Sequence, residues 1–137
     1  GATPTAATIT PGAGISVTNA AGSITIAVTG GSFTWTTVTG ATQNLVAENG
    51  YIANRATAIT FSVPATAAVG DIYIIEGLGA GLSIIQMNTG QTCHFGANAT
   101  TSAGTLTATN QYDAITLTCT VANTSFNARG QGNWTLA

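Results

Sequence analysis

Residues 58–96, AITFSVPATAAVGDIYIIEGLGAGLSIIQMNTGQTCHFG, alternate strand-like apolar runs with Pro, Gly and Asn punctuation. Ile59, Phe61 and Val63 alternate with Thr60 and Ser62, a period of two that places the apolar set on one face of a strand. Pro64 ends that run. Ile72 to Ile75 is an unbroken apolar segment of β-branched and aromatic residues, the pattern of a strand covered on both faces. Gly77, Gly79 and Gly81 close it. Ser83 to Met87 forms the next strand, Asn88-Thr89-Gly90 turns, and Gln91 to Phe95 follows, so the stretch predicts three strands joined by turns. Nothing in it identifies a reaction or a particular ligand.

The flanking sequence continues the pattern. Residues 9–31 read as strand, turn, strand, with Ile15 and Val17 on one arm, Ile24, Ile26 and Val28 on the other, and the turn at Asn19 to Gly22. Such a hairpin is marginal alone, because it has a single row of apolar side chains to bury. Phe33 to Val38 opens the next unit, a strand ends in Leu45 to Ala47, and Glu48-Asn49-Gly50 signals a turn. Thr105 to Thr109 alternates Leu106 and Ala108 with threonines. In Tyr112 to Val121, Ile115, Leu117, Cys119 and Val121 are expected inward and Thr116, Thr118 and Thr120 outward. Phe126 to Arg129 and Trp134 to Leu136 are expected to make the last pair. No apolar periodicity of helical length occurs, and at most one helical turn is expected near residues 65–68. Eight to ten short strands at this spacing predict an all-β chain, an antiparallel β-sandwich or jelly roll.

The chain has 137 residues, the size of one ordinary domain. Its charge content is the anomaly. Four acids, two arginines and no lysine make up 4% of the chain, against about 25% in an average soluble domain. Thr, Asn, Ser and Gln supply the polarity instead. A composition 45% hydrophobic with so few charges predicts apolar surface on a lone subunit, hence an obligate oligomer. The net charge of −2 argues against nucleic acid, which needs clustered Lys and Arg, and against an anionic membrane surface. No run of 18 apolar residues spans a bilayer. Gly1-Ala2 in place of a starting Met reads as a tag scar or the edge of a fragment.

Cofactor, metal and catalytic constellations are not expected. His94 is the only imidazole, and its neighbour Cys93 points to the other face of a strand, which argues against a dyad. Three copies of His94 meeting in a trimer would make a metal site, but a surface or interface histidine is the plainer expectation. Asp71 and Glu76 lie about 16 Å apart along an extended strand and on opposite faces, so they are not a glycosidase pair. Asp71 and Asp113 are expected to cap turns. Cys93 and Cys119 fall in separate strands and are read as buried thiols rather than a disulfide. Three glycosylation sequons, at Asn98, Asn123 and Asn133, are expected by chance in a chain this rich in Thr and Asn, and the Thr-x-Thr strands lack the regular spacing of an ice-binding face.

Two motifs carry a resemblance. Gly12, Gly14, Ile15, Val17, Gly22, Ile24 and Ile26, spaced G-x-G-I-x-V-x-x-x-x-G-x-I-x-I, resemble the shaft repeats of trimeric bacteriophage tail fibres. Over residues 48–137 the string NGYIAN, F-x-V-P-A-T-A-A-V-G-D, G-x-G-A-G-x-S-I-x-Q, NQYD-A-I-x-L-x-C and GNW resembles the C-terminal tip domains of such fibres and of trimeric bacterial collagen-like adhesins. The resemblance implies a homotrimer, with residues 1–31 as a shaft segment and 32–137 as a β-sandwich knob. It also implies a virion fibre facing outward, or alternatively a bacterial cell surface. The knob is expected to bind a host cell-surface ligand, a neutral or weakly charged glycan, since basic clusters for sulfated polysaccharide are missing. Exposed aromatics that stack on sugars and amides that bond their hydroxyls make Tyr112, Asn110, Gln111, Asn127, Arg129, Gln131 and Trp134 the candidate ligand residues. The alternatives are a structural trimerisation cap or a polysaccharide depolymerase.

Overall fold

The computed structural model describes residues 9–12, 14–28 and 33–137. The Gly1-Ala2 expectation and the glycines at 30 and 31 lie outside them. The chain divides into two compact units, residues 1–32 and Phe33–Ala137.

In the first unit, β1 (Ile15–Ala20) and β2 (Ser23–Val28) form an antiparallel hairpin. The turn is tighter than expected: pairing reaches Ala20 opposite Ser23, leaving Ala21 and Gly22, with Gly22 at φ 79°. Ile15 faces Val28 and Val17 faces Ile26, so one face is a ladder of β-branched side chains ending in Ile24. The opposite face carries Ser16, Thr18, Thr25 and Ser23. Ile24, Ile26 and Val28 remain 58%, 62% and 77% exposed.

The second unit is all-β, without helix among the described residues, including 65–68. It contains β3 (Thr34–Val38), β4 (Thr42–Asn44), β5 (Asn49–Ala53), β6 (Ile59–Ser62), β7 (Ile72–Gly77), β8 (Ser83–Gln86), β9 (Thr92–Phe95), β10 (Asn98–Ala99), β11 (Thr105–Ala108), β12 (Ala114–Val121), β13 (Ser125–Gln131) and β14 (Trp134–Leu136). Seven strands in the order β10-β9-β13-β12-β7-β5-β3 make one sheet, and five in the order β14-β11-β8-β6-β4 make the other. One apolar cluster unites them: Tyr51, Tyr73, Ile75, Leu117 and Phe126 from the larger sheet with Ile59, Phe61, Ile85, Leu106 and Trp134 from the smaller. Tyr51 and Phe61 meet across the layers at 6.0 Å between ring centroids. This is a sandwich.

The expected antiparallel pairing holds for β12 with β7 and β13, β11 with β8 and β14, and β9 with β10, and is corrected elsewhere. β3, β5 and β7 run parallel, as do β4, β6 and β8, and β13 is parallel to β9. From β3 to β8 each strand is followed by one in the opposite sheet, so the chain winds as a flattened coil and returns one strand further along. Strands of the same sense therefore stack. Consecutive strands such as β7, β8 and β9 do not pair, and β13 and β14 belong to different sheets rather than forming the last pair. The glycine run after β7 suits this winding. A Cβ at Gly79 would collide with the Arg55 backbone, and one at Gly81 with the Thr57 carbonyl. Only bare backbone lets successive coils approach this closely.

Val121, expected inward, is 55% exposed. A bulge between Cys119 and Val121 shifts the register and turns it outward. Cys93 and Cys119 are free and buried. They pair with Phe126 from either side, so two strand spacings of about 4.8 Å separate them, beyond disulfide reach.

Candidate functional site

Three loops converge at the end of the sandwich where β7 and β13 finish and β12 begins. Asp113, only 5% exposed, holds them together. Its Oδ2 accepts hydrogen bonds from the amides of Thr109 and Asn110, each at 3.0 Å, and its carbonyl accepts from Gly77 N at 3.1 Å. The Asn133 carbonyl accepts from Thr109 N and Thr109 Oγ1 at 3.0 and 3.1 Å. Gln111 Nε2 donates to the Leu78 carbonyl at 2.9 Å. Asp113 thus spends its carboxylate on backbone amides, as a turn cap does.

This turn presents Tyr112. Its φ is 69°, the left-handed region that a bulky side chain rarely adopts, and its ring is 62% exposed. Asn110 and Gln111 are exposed beside it, though the Asn110 amide donates to Thr109 Oγ1 at 2.9 Å. Trp134 is not part of this surface, contrary to expectation. It pairs with Ala108, is 8% exposed, and its indole N–H donates to the Gln131 carbonyl at 3.3 Å. The glycines around it suggest a loop, but the ring fills the core.

Asn127 and Arg129 lie elsewhere, on the outer face of the larger sheet. Thr116 faces Arg129 and Thr118 faces Asn127, while His94 lies on the other side of Asn127. Thr116, Thr118, Thr120, Asn127 and Arg129 line an open groove of about 390 Å³. Among the described residues, the hydroxyls of Thr116 and Thr118, the Asn127 amide and the Arg129 guanidinium make no hydrogen bond to protein, whereas Thr120 Oγ1 donates to the Ser125 carbonyl at 3.2 Å. Gln131, opposite Ala114, carries the same face toward the Tyr112 turn. The threonines were legible as an outward row, but their neighbour strand was not, so the groove escaped sequence reasoning. A second depression of about 330 Å³ around Ser62, Gln86 and Ala103 is less available, because Gln86 Nε2 is bound to the Ala103 carbonyl at 2.7 Å.

Of the remaining candidates for chemistry, Asp71 and Glu48 have structural work. Asp71 Oδ2 accepts from Ala68 N at 2.9 Å and Glu48 Oε1 from Ile72 N at 3.3 Å. Glu76 is exposed on the outer face, opposite Ala114. His94 is exposed and Cys93 buried, on opposite faces of β9. Burial pushes the Cys93 thiol up to about 12, away from nucleophilic thiolate. No group of three or more His, Cys, Asp or Glu is placed to hold a metal among the described residues. No described helix is long and apolar enough to cross a membrane. Compared with known proteins, the chain matches no family model and no curated protein.

Proposed function

We propose that this chain is the receptor-binding tip of a trimeric viral fibre, which attaches to a glycan on a host cell surface. The observation that carries the reading is the groove on β12 and β13, where the hydroxyls of Thr116 and Thr118, the Asn127 amide and the Arg129 guanidinium, which bond no described residue, stand on one strand pair. Saccharides are recognised by such groups, and three weak sites on one fibre bind together with useful avidity. Tyr112, Asn110, Gln111 and Gln131 extend the surface to the loop end. The hairpin supports the oligomer, since its apolar face of Ile15, Val17, Ile24, Ile26 and Val28 needs a partner and three copies around an axis supply one. No catalytic role is included: the acids cap backbone amides or stand apart, which leaves a depolymerase without a supporting pair.

A structural trimerisation cap is the second reading. It is favoured by the outer face of β3, β5 and β7, where the half-exposed Trp35 ring lies over Gly50 beside Ile52, Ile72 and Ile74. The assembled protein probed on a glycan array separates the two. Binding to a defined saccharide set, reduced by Asn127→Ala without loss of the oligomer, is the expected result. Absence of binding to any glycan or host cell would leave the cap.

A further inference from the structure

Arg129 is unusual in this chain. There are only two arginines and no lysine, and Arg55 is spent on structure, its Nη1 donating to the Ala58 carbonyl at 2.9 Å. Arg129 stands exposed, and no described residue bonds its guanidinium. The acid on the same face, Glu76, lies two strands away and two residues beyond the row that Arg129 shares with Thr116 and Ile74. In a chain whose polarity comes chiefly from hydroxyls and amides, a cation that no described residue bonds thus stands at a groove. Beside it, Thr116, Thr118 and Thr120 repeat every second residue, about 6.8 Å apart along the strand. Asn127 completes the floor, flanked by Thr118 and His94.

We infer that the groove is a subsite for a sugar bearing a carboxylate, with Arg129 as its anchor. This deepens the adhesion reading and rests on it. A guanidinium presents a planar pair of N–H donors that matches a carboxylate, a bond stronger than any between neutral groups. The threonine hydroxyls and the Asn127 amide both donate and accept, as ring hydroxyls of the same sugar require. Densely sulfated or phosphorylated polymers fit poorly: they are held by clustered cations, whereas here one Arg serves a chain of net charge −2. The volume of about 390 Å³ lies in the range of small-ligand sites.

The test uses the full assembled protein and a panel of uronic and nonulosonic acid oligosaccharides, each with its carboxyl-reduced counterpart. Affinity is measured by calorimetry for wild type, Arg129→Gln and Arg129→Lys. At least one acidic member is expected to bind, with affinity falling about tenfold or more on carboxyl reduction and in Arg129→Gln. Arg129→Lys keeps the charge but not the fork and is expected to fall between. Because Arg129 is exposed, unchanged melting and oligomeric state check that each variant folds. Equal binding of acidic and reduced sugars, or undiminished binding by Arg129→Gln, overturns this inference and leaves glycan adhesion standing. Binding to no saccharide at all overturns both.

Discussion

Gln91 is fully buried, yet every polar group it owns is occupied. Its Oε1 accepts from Asn88 N at 2.9 Å and its Nε2 donates to the Pro64 carbonyl at 2.7 Å, while its own carbonyl accepts from Ala103 N. One residue therefore ties together three connections, two through its side chain and one through its backbone. Gln91→Met keeps length and removes both side-chain bonds, leaving Asn88 N and the Pro64 carbonyl without partners, so a loss on the order of 2–3 kcal/mol is expected in urea unfolding. A loss below about 0.5 kcal/mol would show that the bonds are replaceable. The thiols make a different prediction. Burial raises the Cys93 pKa from 9.0 to about 12, and burial with the nearby Asp71 charge holds the Tyr73 phenol well above its ordinary value. Between pH 9 and 12 an unfolded Cys93 has lost its proton while the folded one keeps it. The unfolded state then binds fewer protons, and stability falls as pH rises through that window. Below it this group contributes no slope. Melting at stepped alkaline pH checks this, and Cys93→Ala is expected to flatten the fall.

At the level of elements, the Tyr112 turn holds a side chain in a conformation that suits Asn or Gly better, at a cost of about 1–2 kcal/mol. Tyr112→Asn is expected to gain up to about 1 kcal/mol in stability, since Asn tolerates the left-handed region. If the exposed ring meets a sugar, the same change weakens glycan binding, so melting and binding move in opposite directions. A stability gain with binding unchanged would remove Tyr112 from the site. Elements were also where the sequence spoke most clearly. The alternation along β12 placed Ile115, Leu117 and Cys119 inward and Thr116 and Thr118 outward, because a two-residue period with one wet face admits no other arrangement. It failed at Val121, where a bulge adds a residue that no side-chain pattern announces. Partner choice was not legible either. Apolar alternation is the same whether the neighbour is parallel or antiparallel, so the coil from β3 to β8 and the placement of Arg129 beside Thr116 emerge only in three dimensions. Trp134 shows the converse, a residue whose Gly- and Asn-rich surroundings mark a turn while its own ring completes the core.

For the whole molecule, the two units divide the work of the composition. The sandwich buries its apolar set in one cluster, whereas the hairpin leaves Ile24, Ile26 and Val28 of its ladder more than half exposed. Ile26→Asp puts a charge into that ladder opposite Val17. If the hairpins associate, as proposed, sedimentation equilibrium should show a trimer for wild type and dissociation for the variant, with the sandwich still folded by circular dichroism. A wild-type monomer would end the fibre reading.

The position of β13 has a consequence for how the protein is made. It lies between β12 and β9, and its parallel pairing sets Ser125 against Thr92 and Phe126 between Cys93 and Cys119. As the chain leaves the ribosome, β9 and β10 have no sheet to join until residue 125 and those after it have emerged. Pairing between segments so distant in sequence is slow, because the intervening loop must be ordered first. The larger sheet is thus completed only once residues 125–131 are available, and a chain that stops before Ser125 lacks the strand that joins β9 and β10 to the rest of the sheet. The order in which strands emerge therefore sets when this sheet can be completed.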